Sequence, residues 1–407
     1  MYNQYHQGMT THVDNFDRRK STVISIISLM LGFFGAFLLY VLSAYFSDVS
    51  GSDNVSVFYI AAYAGTLFSL FTIRPIIRYV GKARLLYLSL GLTILSLALL
   101  THLPASWLPV AILLLVLMFD NVTWVTLDII LESFSSDGMS GRIRGMHLTI
   151  LNIGILSAPY ASTGVLDRFG YEGIFFIMLL GYIAIFLVAL VFLRNDNGSF
   201  RERLNPERAF RRMLREKDLL RIYLVSLSLE FFYALMTIYT SLRMLEIGFS
   251  WHEMGVVFTM MLLPFVLFQY PLGAFADQKV GEKEMLIGSL ILIMLSTGAL
   301  YFLGIHSVLA WGAALFLTRV GAAAIEVLRD SYFYKQVDGD DMEIIAFFRT
   351  ARPVAGLFGA AISAWMLVFL PIESVFLLVA AFFLPIIVST LFLKDTASEA
   401  ELLKSAI

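Results

Sequence analysis

RNDNGSFRERLNPERAFRRMLREKD, Arg194 to Asp218, is the longest hydrophilic stretch inside this chain. It is dense in arginine and divides what surrounds it into two similar halves. A membrane-crossing helix needs about 20 mostly apolar residues. Six such runs precede the stretch, at 21–46, 55–74, 83–103, 108–132, 144–166 and 172–194. Six more follow it, at 219–243, 252–275, 284–304, 308–333, 343–368 and 371–393. The runs are continuous rather than alternating, which rules against barrel strands.

Composition agrees. The 407 residues are 59% hydrophobic and 15% charged, with a mean hydropathy of +0.80. Soluble domains of this size carry about a quarter charged residues. The net charge of −2 gives no footprint for nucleic acid. There is no cysteine, so disulfides and thiolate metal sites are excluded, and the six histidines fall in no metal-binding spacing. No cofactor or metal is expected. The apolar run after the polar first twenty residues is too long for a signal-peptide core and is read as the first span.

Lysine and arginine set the orientation. The turns at 47–54, 104–107, 305–307 and 369–372 have none, and Arg168 and Arg243 are the two on that side. The other side holds Arg18, Arg19, Lys20, Arg74, Arg78, Lys82, Arg84, Arg142, Arg144 and the basic stretch. Both termini are therefore expected in the cytoplasm. The expected organisation is an all-α membrane protein of twelve transmembrane helices. A cytoplasmic tail (1–20) leads into a six-helix bundle (21–194), a basic cytoplasmic linker (195–218), a second bundle (219–394) and a tail (395–407). Pro206 suits a helix start within the linker, with Phe210, Met213 and Leu214 on one side. Such a helix either rests on anionic lipid or simply tethers the halves.

Six spans plus six suggest an internal duplication. A sharper signal follows the eighth span, in PLGAFADQKVGEKEML, 271–286. Gly273 allows close helix approach, Asp277 can face a helix N-terminus, and Gly281 can make the turn. With Lys279 and Lys283, this pattern resembles the cytoplasmic loop motif of the major facilitator superfamily. The first-half copy, IRPIIRYVGKARLL at 73–86, keeps Gly81, Lys82 and Arg84 but has no Asp. In the fifth span Gly145, Gly154, Pro159 and Gly164 resemble the glycine run of exporters in that superfamily, with Ala158 where a Gly would stand. The resemblance covers nearly the whole chain. It implies two pseudo-symmetric six-helix bundles around a central cavity lined by the first, fourth, seventh and tenth helices.

Charges inside the membrane cost roughly 2.5–3.5 kcal/mol each on insertion scales and have a function or a partner. On the fold that the resemblance implies, Asp120, Glu230 and Arg319 face the cavity, each ten to twelve residues into its span. They are the expected substrate and proton site, with Arg319 pairing Asp120 or Glu230. The plainer alternative is a salt bridge fastening the halves. For Asp120, Asn121 and Thr123 could instead satisfy the carboxylate locally. Glu326, Asp330, Arg349 and Arg352, beneath Gly273, Asp277 and Gly281, are expected to form an ion-pair lock at the cytoplasmic mouth. Asp128, Glu132, Arg142 and Arg144 would be its first-half counterpart. Tyr40, Trp124, Tyr233, Tyr239 and Tyr270 are read first as packing residues.

The expected function is secondary active transport of a small molecule by alternating access, coupled to protons, with export favoured over uptake. Uptake of a nutrient or organic anion and lipid flipping are the alternatives. An enzyme is not expected, since GxSxG, HExxH and GxxxxGK[ST] are all absent. The bilayer, protons and a small-molecule substrate are the expected partners of a monomer in the cytoplasmic membrane of a bacterium.

Overall fold

The computed structural model describes residues 18–103, 106–132, 140–192, 206–269, 271–272, 282–337 and 342–394. Among these residues the chain is helical and contains no strand. The first half comprises α1 (Arg18–Ala36), α2 (Leu42–Ser50), α3 (Ser56–Val80), α4 (Lys82–Leu100), α5 (Trp107–Glu132) and α6 (Ser140–Phe192). The short helix α7 (Pro206–Arg215) lies within the basic stretch. The second half comprises α8 (Lys217–Ile247), α9 (Trp251–Leu267), α10 (Glu282–Leu300), α11 (Val308–Gln336), α12 (Met342–Phe348), α13 (Ala351–Met366) and α14 (Ser374–Thr390).

Six of these helices are long and apolar enough to cross a membrane by length and composition, and shorter apolar helices stand between them. Their outer faces are apolar. Leu88, Leu92, Leu95 and Leu99 of α4 recur at helical spacing and are all exposed. In water such a stripe would be an aggregation site, whereas against lipid tails it is the matching surface.

Several breaks have local causes. Gly81 separates α3 from α4 at φ +91°, a conformation that a side chain resists. Gly170 breaks α6 at φ 63°, ψ −166°, which divides its 53 residues into two helices. Between α12 and α13 the break falls at Arg349–Thr350. Pro353 offers no N–H to the carbonyl of residue 349, and its ring crowds that carbonyl. The eleventh run, read as one span, is therefore two helices. At its start α9 carries a capping box: Ser250 Oγ accepts from the Glu253 N–H, and the Glu253 carboxylate accepts from the Ser250 N–H at 2.9 Å.

Within the first half α1 packs on α6, and α4 on α5 and α6. The α1–α6 contact is backbone to backbone. A Cβ on Gly154 would stand 2.4 Å from the Leu29 carbonyl oxygen, and one on Gly32 would stand 2.6 Å from that of Leu151. Gly154, singled out in the fifth span, is thus a packing glycine. In the second half α11 packs on α8, α9 and α10, and α8 on α13 and α14. Among the described residues the halves meet chiefly through α6 with α9, α3 with α13, and α2 with α8. Helix α7 packs on α8 and α12. Of its three expected apolar anchors Met213 is buried, while Phe210 and Leu214 stay exposed.

Candidate functional site

The contacts between halves cluster at the end opposite α7. Tyr239 of α8 donates to Ser363 of α13 at 3.0 Å and also hydrogen-bonds Ser56 at the start of α3. Asn54 Nδ2 donates to the Ala364 carbonyl at 2.9 Å. Thr163 of α6 sits where a Cβ on Gly255 of α9 would be, at 2.1 Å. Deeper in, the Tyr63 ring rests on Gly356, where a Cβ would meet ring atoms at 2.4–2.6 Å. That end of the molecule is closed across both halves.

Below this closure the intramembrane charges divide into groups. Asp120 of α5 is held by neutral donors: the Tyr182 hydroxyl donates to it, as does Trp124. All three converge on Gly35 of α1, whose missing Cβ leaves 3.8–3.9 Å to each. Neither Glu230 nor Arg319 pairs with Asp120. Asn121, a local partner expected from the sequence, leaves its side-chain oxygen without a hydrogen bond, and Thr123 turns instead to Ser89 at 2.9 Å.

Glu230 of α8 pairs with Arg329 rather than with the expected Arg319. Arg329 Nη1 lies 3.2 Å from the carboxylate and also donates to Ser226 at 2.8 Å. Its Nε donates to Asp330 at 3.2 Å. Glu326 accepts from Tyr233 at 3.3 Å and from Gln269 at 3.2 Å. Arg319 lies over the Phe232 ring at 4.7 Å and the Tyr233 ring at 5.8 Å. Its polar neighbour is the Tyr40 hydroxyl, which comes from the first half.

Of the four residues expected to form the lock, Asp330 accepts from Arg329, and Glu326 accepts from Tyr233 and Gln269. Arg352 is exposed, makes no hydrogen bond or ion pair among the described residues, and acts electrostatically on Asp120 and Tyr63. It stands in the first turn of α13. Gly273, Asp277, Gly281 and Tyr270 lie outside the described residues, as do the side chains of Asp128, Glu132, Arg142 and Arg144.

Four tyrosine and tryptophan side chains read as packing thus have polar partners: Tyr40, Trp124, Tyr233 and Tyr239. Tyr182, Tyr63, Ser226 and Gln269 were not anticipated. Gln269 carried a signal, being an amide in the apolar stretch LLPFVLFQYPL. Tyr182 carried none, since tyrosine is ordinary in such a helix.

Residues 231–406 match the family model of the Major Facilitator Superfamily. The fold also superposes on the crystal structure of PepTSo, described as a POT family transporter, with a TM-score of 0.72. That likeness covers 92% of this chain and 97% of the other at 12% identity, so it speaks for the fold alone. The family match thus falls on the second half of the chain, and the fold likeness extends it to the first. No curated protein matches the sequence. The match and the apolar helices together mark a multi-pass integral membrane protein of transporter rather than enzyme type.

Proposed function

We propose that this chain is a proton-coupled secondary active transporter of the Major Facilitator Superfamily, working by alternating access with the closed end facing away from the cytoplasm. On this reading the chain crosses the membrane twelve times. α1 with α2, and α12 with α13, each count as one broken span, and α6 counts as two. The tails and α7 then lie in the cytoplasm of a bacterium, as the positive-inside bias requires. The protein works as a monomer, since the two halves supply both sides of the site.

The observation that carries the reading is the layering of the interface. Above, the halves are latched by Ser56, Tyr239 and Ser363. Below, Asp120 and Arg352 belong to opposite halves and interact electrostatically, with no ion pair between them among the described residues. Opposed charged groups under a closable end can bind a solute differently in two states, as alternating access requires. Asp120 and Glu326, held by neutral donors, are the proton carriers; Glu230 is occupied by Arg329. Export is the direction adopted, on the glycine and proline spacing of 145–164. Arg352, without an ion-pair partner among the described residues, favours a second reading, uptake of an organic anion.

A thermal-shift panel of sugars, amino acids, organic anions, nucleosides and cationic dyes, at acid and alkaline pH, identifies the ligand. Flux of that ligand is then followed in liposomes. We expect an imposed pH gradient to drive accumulation in the wild type. Glu326→Gln should keep exchange at equal pH and lose accumulation by at least tenfold. Accumulation indifferent to the gradient would exclude proton coupling and leave facilitated diffusion.

A further inference from the structure

The cations of the site are not equally occupied. Arg329 is surrounded by Glu230, Asp330 and Ser226. Arg319, ten residues earlier on the same helix, is 2% exposed and has no carboxylate within ion-pair distance among the described residues. Its Nη1 makes no hydrogen bond. A guanidinium does not shed its proton in a protein, so this charge stays buried and in part unmet. Burying a cation is costly, and the aromatic faces offset only part of that cost.

The surroundings define what would meet it. Phe232 and Tyr233 lie over the guanidinium. The Tyr40 hydroxyl is beside it, and the Tyr40 ring stacks on Phe258 at 4.6 Å. The site thus offers an open N–H on a fixed cation, a phenol, and flat apolar walls contributed by both halves. Arg352 is exposed and acts electrostatically on Asp120 and Tyr63 of the first half, so a second positive charge bears on the groups between the halves.

We infer that Arg319 and Tyr40 form an anion subsite, and that the transported solute is a small carboxylate with an aromatic or flat apolar body. This rests on the transport reading above and narrows it. The planar fork of Arg319 suits the two oxygens of a carboxylate. The aromatic walls supply the burial that a bare inorganic anion could not use. Because Tyr40 belongs to the first half and Arg319 to the second, the bound carboxylate would bridge the halves.

The test uses the full-length protein in detergent and in liposomes, with phenylacetate, acetate, phenylacetamide and phenethylamine as probes. Phenylacetate is expected to raise the melting temperature and to undergo counterflow, and the other three to do neither at equal concentration. R319Q should abolish the phenylacetate shift. R319K, which keeps the charge but loses the fork, should weaken apparent affinity at least tenfold. Y40F and F232L should each weaken it severalfold, and they carry the same test should R319Q not purify as a monodisperse species. A phenylacetate shift unchanged in R319Q, R319K and Y40F, or no shift in the wild type, overturns the subsite. An equal shift with acetate overturns the aromatic body. Counterflow of the amine or the amide without phenylacetate leaves transport standing and removes this inference. An Arg319-dependent shift without counterflow of any probe keeps the subsite and removes the transport reading.

Discussion

At the scale of single residues, two arginines on α11 differ in what they are bound to. Arg329 is one member of a buried pair with Glu230, and removing one partner of such a pair strands the other. Such losses cost about 3–5 kcal/mol in proteins. Glu230→Gln is therefore expected to lower the melting temperature strongly. Glu326→Gln, which leaves Tyr233 and Gln269 a neutral acceptor, should lower it little. Differential scanning fluorimetry of the two variants side by side checks this; equal losses would mean that the Glu230–Arg329 pair contributes no special stability. The sequence marked Asp120, Glu230, Arg319 and Glu326 because charge is scarce in the apolar runs. It did not reveal their partners. Partner choice depends on how each helix is rotated about its axis, and that is set by packing. Tyr182 reaches Asp120 across 62 residues of chain.

At the scale of elements, the breaks were partly legible. Glycine at 81 and 170, and proline at 353, mark positions where a helix cannot continue unchanged. The break between α1 and α2 was not marked. Residues 37, 39 and 41 donate to carbonyls three residues back, at 3.1–3.2 Å, the tighter turn of a 3₁₀ segment. No proline lies there. The turn carries Tyr40 toward Arg319 of the other half. Gly170 allows a direct test, because its φ of 63° with ψ of −166° is open almost only to glycine. Gly170→Ala should destabilise the protein by about 1–3 kcal/mol, read as a lower melting temperature. No Cβ clash contributes, since nothing lies within 4 Å of the position. An unchanged melting temperature would show that the two helices of α6 can rejoin at no cost.

At the scale of the whole molecule, the continuous apolar runs made a helical membrane protein readable from sequence. Which ends of the halves touch was not readable. The answer depends on which conformation is adopted, and a sequence used in alternation must be compatible with both. In this conformation Ser56 and Ser363 stand with their hydroxyl oxygens 3.3 Å apart, across the α3–α13 contact. The chain has no cysteine, so Ser56→Cys with Ser363→Cys introduces the two thiols of the molecule. Side chains this close can meet disulfide geometry without backbone movement. Mild oxidation is expected to join them in most of the population and to stop flux in liposomes, with a reductant restoring it. Each single cysteine variant should transport with and without oxidant. A joined protein that still transports at the wild-type rate would mean that this end never opens, and that solute passes without the halves rocking. Arrest that reverses on reduction would instead make the Ser56, Tyr239 and Ser363 contact a gate. The cavity below it would then be one of two alternately accessible forms.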